Sequence, residues 1–301
     1  MQWPMQLLPR SAGPPGGKPM SYIRFGLMIL TSMLVMFGLM YLNTYALEHV
    51  FFSETRAYMT LLMGAAMAIV MLGFMWGMYR NRTLNVAILA GSALLFALSL
   101  WLVRSQITVD GESYMRAMIP HHSIAILTSE RADIRDPRVR RLADGIVEAQ
   151  QREIAEMRYL VAEVAAGRTV ESTYTDPPAH LGNLAEALST VRIAELDPAP
   201  VPRTEAVEVL PGEEDCAFRR TAASDPILWT AEEAGVMKLN GILVPLEKLP
   251  EAEGQAFATP GVSMRVRRLG DEGGLRANAE LVFALDRGLT VGYRGFWHCG
   301  A

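Results

Sequence analysis

Met115-Arg-Ala-Met118-Ile-Pro-His121-His122-Ser-Ile-Ala-Ile126 and, after a turn, Gln150-Gln-Arg-Glu153-Ile-Ala-Glu-Met157 decide how this chain is read. Met115, Met118 and His122 are three and four residues apart, so an α-helix sets them on one stripe with His121 on its flank. Gln150, Glu153 and Met157 repeat that spacing on the second segment. If the two helices form an antiparallel hairpin, thioether, imidazole and carboxylate converge between them.

Outward from this pair, the chain divides by composition. It has 301 residues, a net charge of -4 and 50% hydrophobic residues; no basic excess points to nucleic acid. Residues 25–47, 57–79 and 84–103 carry no charged residue. Each run is long enough to cross a hydrocarbon core about 30 Å thick at about 1.5 Å per helical residue. Three transmembrane helices are expected, with the lipid bilayer as partner. Arg10, Lys18 and Arg24 precede the first run, and Arg80 and Arg82 lie in the tight turn between the second and third. The first loop holds the mixed set Glu48, His49, Glu54 and Arg56. The positive-inside rule then predicts a cytoplasmic N-terminus in a bacterial inner membrane, with everything after about residue 104 periplasmic. Met59, Met63, Met67, Met71 and Met75 recur every fourth residue, but such a row spirals round a helix and is read as apolar packing. Gly73 and Gly77 form a GxxxG element suited to close helix approach, within the bundle or between protomers. No acidic, basic or histidine residue lies inside the runs, so they read as an anchor and not a transport path.

The hairpin has its own punctuation. Asp110-Gly-Glu-Ser suits a helix N-terminus, and Asp136 followed by Pro137 starts a second helix that stops near Gly167. Pro120 removes one backbone N–H beside the histidines and predicts a kink. Val139, Leu142, Ile146, Ile154 and Leu160 fit a core-facing stripe, and Glu148 with Arg152 an i,i+4 pair on the wet side.

At these residues the chain resembles the family called domain of unknown function 305. The shared features are Met118-Ile-Pro-His121-His122 with Ala125, then Leu142-Ala-Asp, Gln150, Glu153-Ile and Met157, over about residues 110–164. The resemblance implies half of a ferritin-like helical bundle, associated in some members with periplasmic copper. Carried over, it points to Met118, His121, His122, Glu153 and Met157 as metal ligands, and more weakly to Met115 and Gln150. Many members hold two His-His halves and this chain has one, so a homodimer is expected. Thioether and imidazole with a single carboxylate suit copper, Cu(I) above all, better than a hard cation; zinc and iron stay open. The competing reading makes the methionines core gap-fillers, the histidines a hydrogen-bonded pair beside a proline, and Gln150 with Glu153 a solvated edge.

Past Gly167 the pattern changes. Asp176-Pro-Pro precedes a short helical stretch over residues 183–195, and Asp197-Pro-Ala-Pro-Val-Pro reads as an extended linker. Beyond Val209 short strands are expected at residues 235–239, 242–246, 262–266, 277–285 and 289–297, with Asn240-Gly241 as a hairpin signal. Cys216 and Cys299 bracket this region and are expected to form a disulfide outside the cytoplasm.

The fold class expected is therefore an α+β membrane protein: three transmembrane helices, an extracytoplasmic antiparallel helical hairpin, and a small C-terminal β-sandwich or barrel. The domains run 1–22, 23–104, 105–168, 169–208 and 209–301. The function expected is metal binding, copper sequestration, delivery or tolerance, at Met115, Met118, His121, His122, Gln150, Glu153 and Met157. No nucleophile elbow, phosphate loop or acid–base pair suggests an enzyme. The alternative is an envelope interaction module without metal, whose β-domain engages a protein partner.

Overall fold

The computed structural model describes residues 21–175, 191, 193, 196–210, 216–250, 254–286 and 288–300. The N-terminal tail with Arg10 and Lys18, and most of the helix expected over 183–195, lie outside the described residues. The described chain separates into two compact units, one of Met1–Leu39 with Thr55–Ile107 and one of Met40–Glu54 with Thr108–Ala301.

The first unit holds three apolar helices, α1 (Tyr22–Leu39), α2 (Glu54–Phe74) and α3 (Arg82–Ser105). Their mean hydropathies are 1.8, 1.9 and 2.4, and each is long and apolar enough to cross a membrane. The first ends eight residues before the apolar run does: α1 stops at Leu39 and the chain turns away, reaching a 3₁₀ turn at Leu47–His49. Hydropathy alone could not mark that end, because residues 40–47 continue the apolar run yet group with the second unit. Within the chain the GxxxG element makes no close approach among the described residues. Gly77 falls in a 3₁₀ turn (Trp76–Met78), and neither it nor Gly73 has a neighbour within 4 Å of an added Cβ. Close approach occurs at Gly64 instead, where a Cβ would stand 2.3 Å from Met33 Sδ.

In the second unit, α4 (Gly111–Arg131) and α5 (Pro137–Ala165) pack along their lengths. They run antiparallel: Arg140 donates to the carbonyl of Ser129 near the turn, and His122 meets Glu153 further in. Pro120 sits buried inside α4, which continues through it. The stripe assigned to α5 is wrong for four of its five residues. Ile154 is buried, but Val139, Leu142, Ile146 and Leu160 are exposed. The buried row is Ala143, Ile154, Met157 and Val161. The reason is that α5 has two neighbours. One flank lies on α4 and another, at Ala155 and Tyr159, lies on the last strand of the β-domain, so its apolar residues do not form one stripe. No ion pair joins Glu148 to Arg152 among the described residues.

The β-domain is a barrel. A two-residue strand β1 (Pro198–Ala199) and helix α6 (Arg203–Val209) precede β2 (Cys216–Arg219), β3 (Pro226–Thr230), β4 (Ala234–Leu239), β5 (Ile242–Lys248), β6 (Gln255–Thr259), β7 (Val262–Arg268), β8 (Ala279–Leu285) and β9 (Thr290–Cys299). Each strand from β2 to β9 pairs antiparallel with the next, and β9 returns to β2, closing eight strands. Strand alternation sends Phe218, Leu228, Met237, Phe257, Met264, Leu281, Phe283, Tyr293 and Trp297 to one packed interior. The Asn240-Gly241 hairpin is present, both residues at positive φ. Strands β3 and β6, only five residues each, carry no clear signal in the sequence. The disulfide Cys216–Cys299 joins directly opposed residues across the β2–β9 seam. On the outside, α6 covers Ala217, Trp229 and Val236, and Trp229 Nε1 donates to the carbonyl of Val201.

Candidate metal centre

Local chemistry sets both helices of the pair. The Asp110 side chain accepts from Ser113 N–H while the Ser113 hydroxyl receives Asp110 N–H, a reciprocal cap. Asp136 caps α5 with Pro137 at its first position, as the sequence predicts. Between the helices lies an apolar cluster of Ile119, Ile126, Ile154 and Val161, joined by Phe51. Met115 and Met157 belong to this cluster, only 8% and 9% exposed, and Met118 packs at its edge.

The polar candidates meet at the rim of that cluster. His122 Nδ1 lies 2.8 Å from Glu153 Oε2, and Gln150 Nε2 donates to the same oxygen at 3.2 Å. The imidazole and carboxylate are close but not aligned, so the buried His122 Nδ1 has no hydrogen-bond partner. Burial holds the His122 pKa below its ordinary value and the neighbouring His121 adds to this, against the pull of Glu153. An imidazole and a carboxylate this close together can both serve as metal donors. The His121 ring is exposed, its centroid 6.1 Å from that of His122.

Of the seven residues the sequence singles out, then, the structure brings together His122, Glu153 and Gln150. It packs Met118 against the edge of the apolar cluster, turns His121 to solvent, and buries Met115 and Met157 in the apolar core. No group of three or more His, Cys, Asp or Glu side chains converges among the described residues.

A polar network behind the pair escaped the sequence reading. Ser123 Oγ, fully buried, accepts from Tyr45 N–H at 2.7 Å and contacts His49 Nδ1 at 2.9 Å. His49 Nε2 lies 3.4 Å from Glu48, which meets Arg158 at 3.3 Å, and Arg158 donates to the carbonyl of Arg276 at 2.7 Å. Arg276 closes the loop, donating to the carbonyl of Val50 and lying 4.2 Å over the Phe51 ring. Burial holds the His49 pKa below its ordinary value, despite Glu48. For Glu48, burial pushes upward, but the hydrogen bond from His49 and the charge of Arg158 outweigh it and hold the carboxyl low. The one available signal was the density of Tyr45, Glu48, His49 and Phe51 in a loop otherwise read as a connector.

The chain contains two segments of recognisable family. Residues 110–206 match the family described as domain of unknown function DUF305. Residues 162–301 match a second, domain of unknown function DUF6692, which takes in the whole barrel. An uncharacterized protein of Acanthamoeba polyphaga mimivirus is 43% identical over 63 residues, 20% of this chain and 41% of that protein. The match thus spans about two fifths of that relative's length. No solved structure matches.

Proposed function

We propose that the protein is a membrane-anchored, extracytoplasmic metal-binding protein whose ion is copper, held at His122 and Glu153 with Met118 and His121 supplying further donors. The observation that carries this is His122 Nδ1, a buried imidazole nitrogen with no hydrogen-bond partner, 2.8 Å from a carboxylate oxygen. A buried polar atom without a partner is costly, and a bound cation shared with Glu153 satisfies both groups. The resemblance to the DUF305 pattern and a thioether at Met118, one turn before His122, support copper over a hard cation. Three helices apolar enough to span a bilayer support the anchor, and a disulfide in the barrel supports an oxidising compartment. When bound, the ion supplies a Lewis-acidic, redox-capable centre; the chain's part is to hold it and to keep His122 neutral.

The test is titration of the full chain in detergent with Cu(I) against a competing chelator, with Zn(II) and Fe(II) alongside. Binding tighter than about 10⁻⁶ M that weakens at least tenfold in both His122→Ala and Glu153→Gln is the expected result. Affinity unchanged by both substitutions overturns the assignment and leaves the interaction-module reading.

A further inference from the structure

The N-terminal half of α5 extends past the barrel strand that covers its other end, and it carries a row of apolar side chains left exposed among the described residues. Val139, Leu142 and Ile146 are 48%, 65% and 37% exposed, at helical spacing along one face. Gly145 stands beside them in mid-helix, with nothing within 4 Å of an added Cβ. A glycine there costs helix stability, and among the described residues it makes no close approach that would require it. Arg141 and Glu148 flank the glycine, four residues before it and three after, and neither forms an ion pair among the described residues.

We infer that this face is a self-association surface on which α5 pairs antiparallel with α5 of a second copy, crossing at Gly145. The charges choose the occupant. About a two-fold axis at Gly145, Arg141 of each copy faces Glu148 of the other, so one surface satisfies itself twice. The glycines let the two backbones approach, and Leu142 and Ile146 pack over the crossing. Arg138, which such a pairing brings near Arg152, is already paired with Asp136 at 2.6 Å. A single helix pair of this length is smaller than the interface of a typical stable complex, so the association is weak and depends on concentration. It does not depend on metal.

Cysteine cross-linking tests it cleanly, because both native cysteines are held in the disulfide and an added thiol is unique. Full-length Gly145→Cys, mildly oxidised with a chelator present, is expected to give a dimer band reversible by reductant. It should form at least about tenfold faster than in Arg135→Cys, whose thiol sits in the exposed turn after α4, and Leu142→Glu should suppress it. Arg141→Glu and Glu148→Arg should each slow cross-linking of Gly145→Cys, and together restore it. Cross-linking no faster than at residue 135, persistence in Leu142→Glu, or no restoration in the charge swap each overturns the antiparallel pairing. Because the chelator removes metal throughout, these outcomes are separate from those of the metal titration.

Discussion

His49 and Ser123, 74 residues apart in sequence and both fully buried, meet at 2.9 Å and fix the loop after the first apolar helix to the helix that carries the His-His pair. Ser123 Oγ receives Tyr45 N–H and contacts His49 Nδ1, while His49 Nε2 lies 3.4 Å from Glu48. Burial holds this histidine toward its neutral form.

Its pH dependence follows in sign. Burial depresses the folded pKa of His49 below the unfolded value of about 6.5, so the folded chain binds fewer protons than the unfolded one in that region. The stability this contributes is complete above about pH 6.5 and is lost as pH falls through the folded pKa. His122 shifts in the same direction. Urea midpoints of the second unit should hold steady from pH 8 to 7 and decline below about 6.5. His49→Gln should flatten the decline in part, and His49→Gln with His122→Gln should flatten it further. An unaltered slope in the double variant contradicts the burial argument.

The methionines are expected to divide. Met115 and Met157 are core side chains, so Met115→Leu and Met157→Leu should change stability by less than about 1.5 kcal/mol and leave Cu(I) affinity within a few-fold. Met118→Leu should weaken Cu(I) more than Zn(II), since only the soft ion draws on a thioether. Competition titrations of the three variants separate these roles; equal loss in all three would place the buried sulfurs in the coordination shell.

Gly292 on β9 admits the Tyr159 ring of α5: a Cβ there would lie 2.4 Å from the ring carbons. Neither a strand backbone nor a packed aromatic face yields easily. Gly292→Val should destabilise the second unit by about 2 kcal/mol or more, read by chemical denaturation. Tyr159→Ala in the same chain should recover part of the loss, and no recovery would show that the ring is not the obstacle.

Cys216 and Cys299 close an 83-residue span across the barrel seam. On the loop-entropy account, Cys216→Ser with Cys299→Ser should cost about 4 kcal/mol, measured by the denaturant midpoint at unchanged slope. A cost near zero would mean that strand pairing alone fixes the seam.

Local signals carried the sequence reading where it succeeded. Asp110, Asp136 with Pro137, and Asn240 with Gly241 each act on their immediate neighbours, and each element boundary they predict is present. Cys216 and Cys299 had no alternative partner. Failure came where a residue's environment is set from far away. Val139 and Leu142 share helical spacing with a core stripe, but whether that stripe is covered depends on where the barrel lies against α5. Residues 40–47 continue the apolar run but group with the second unit, where Tyr45 packs against the Phe51 cluster while Leu42 and Leu47 stay exposed, a distinction hydropathy does not make. The candidate site shows the same division. Helical spacing predicted that His122 and Glu153 could meet across the hairpin, but it could not say that Met115 and Met157 point inward or that His121 faces solvent.

A meander that closes on itself has one further consequence. Since β9 is both the last strand to emerge and the only one able to seal β2, every earlier state of the β-domain exposes two unpaired strand edges. Those edges can recruit other chains until the final ten-residue strand arrives. Shortening the chain before Thr290 should therefore yield aggregates in place of a smaller soluble barrel.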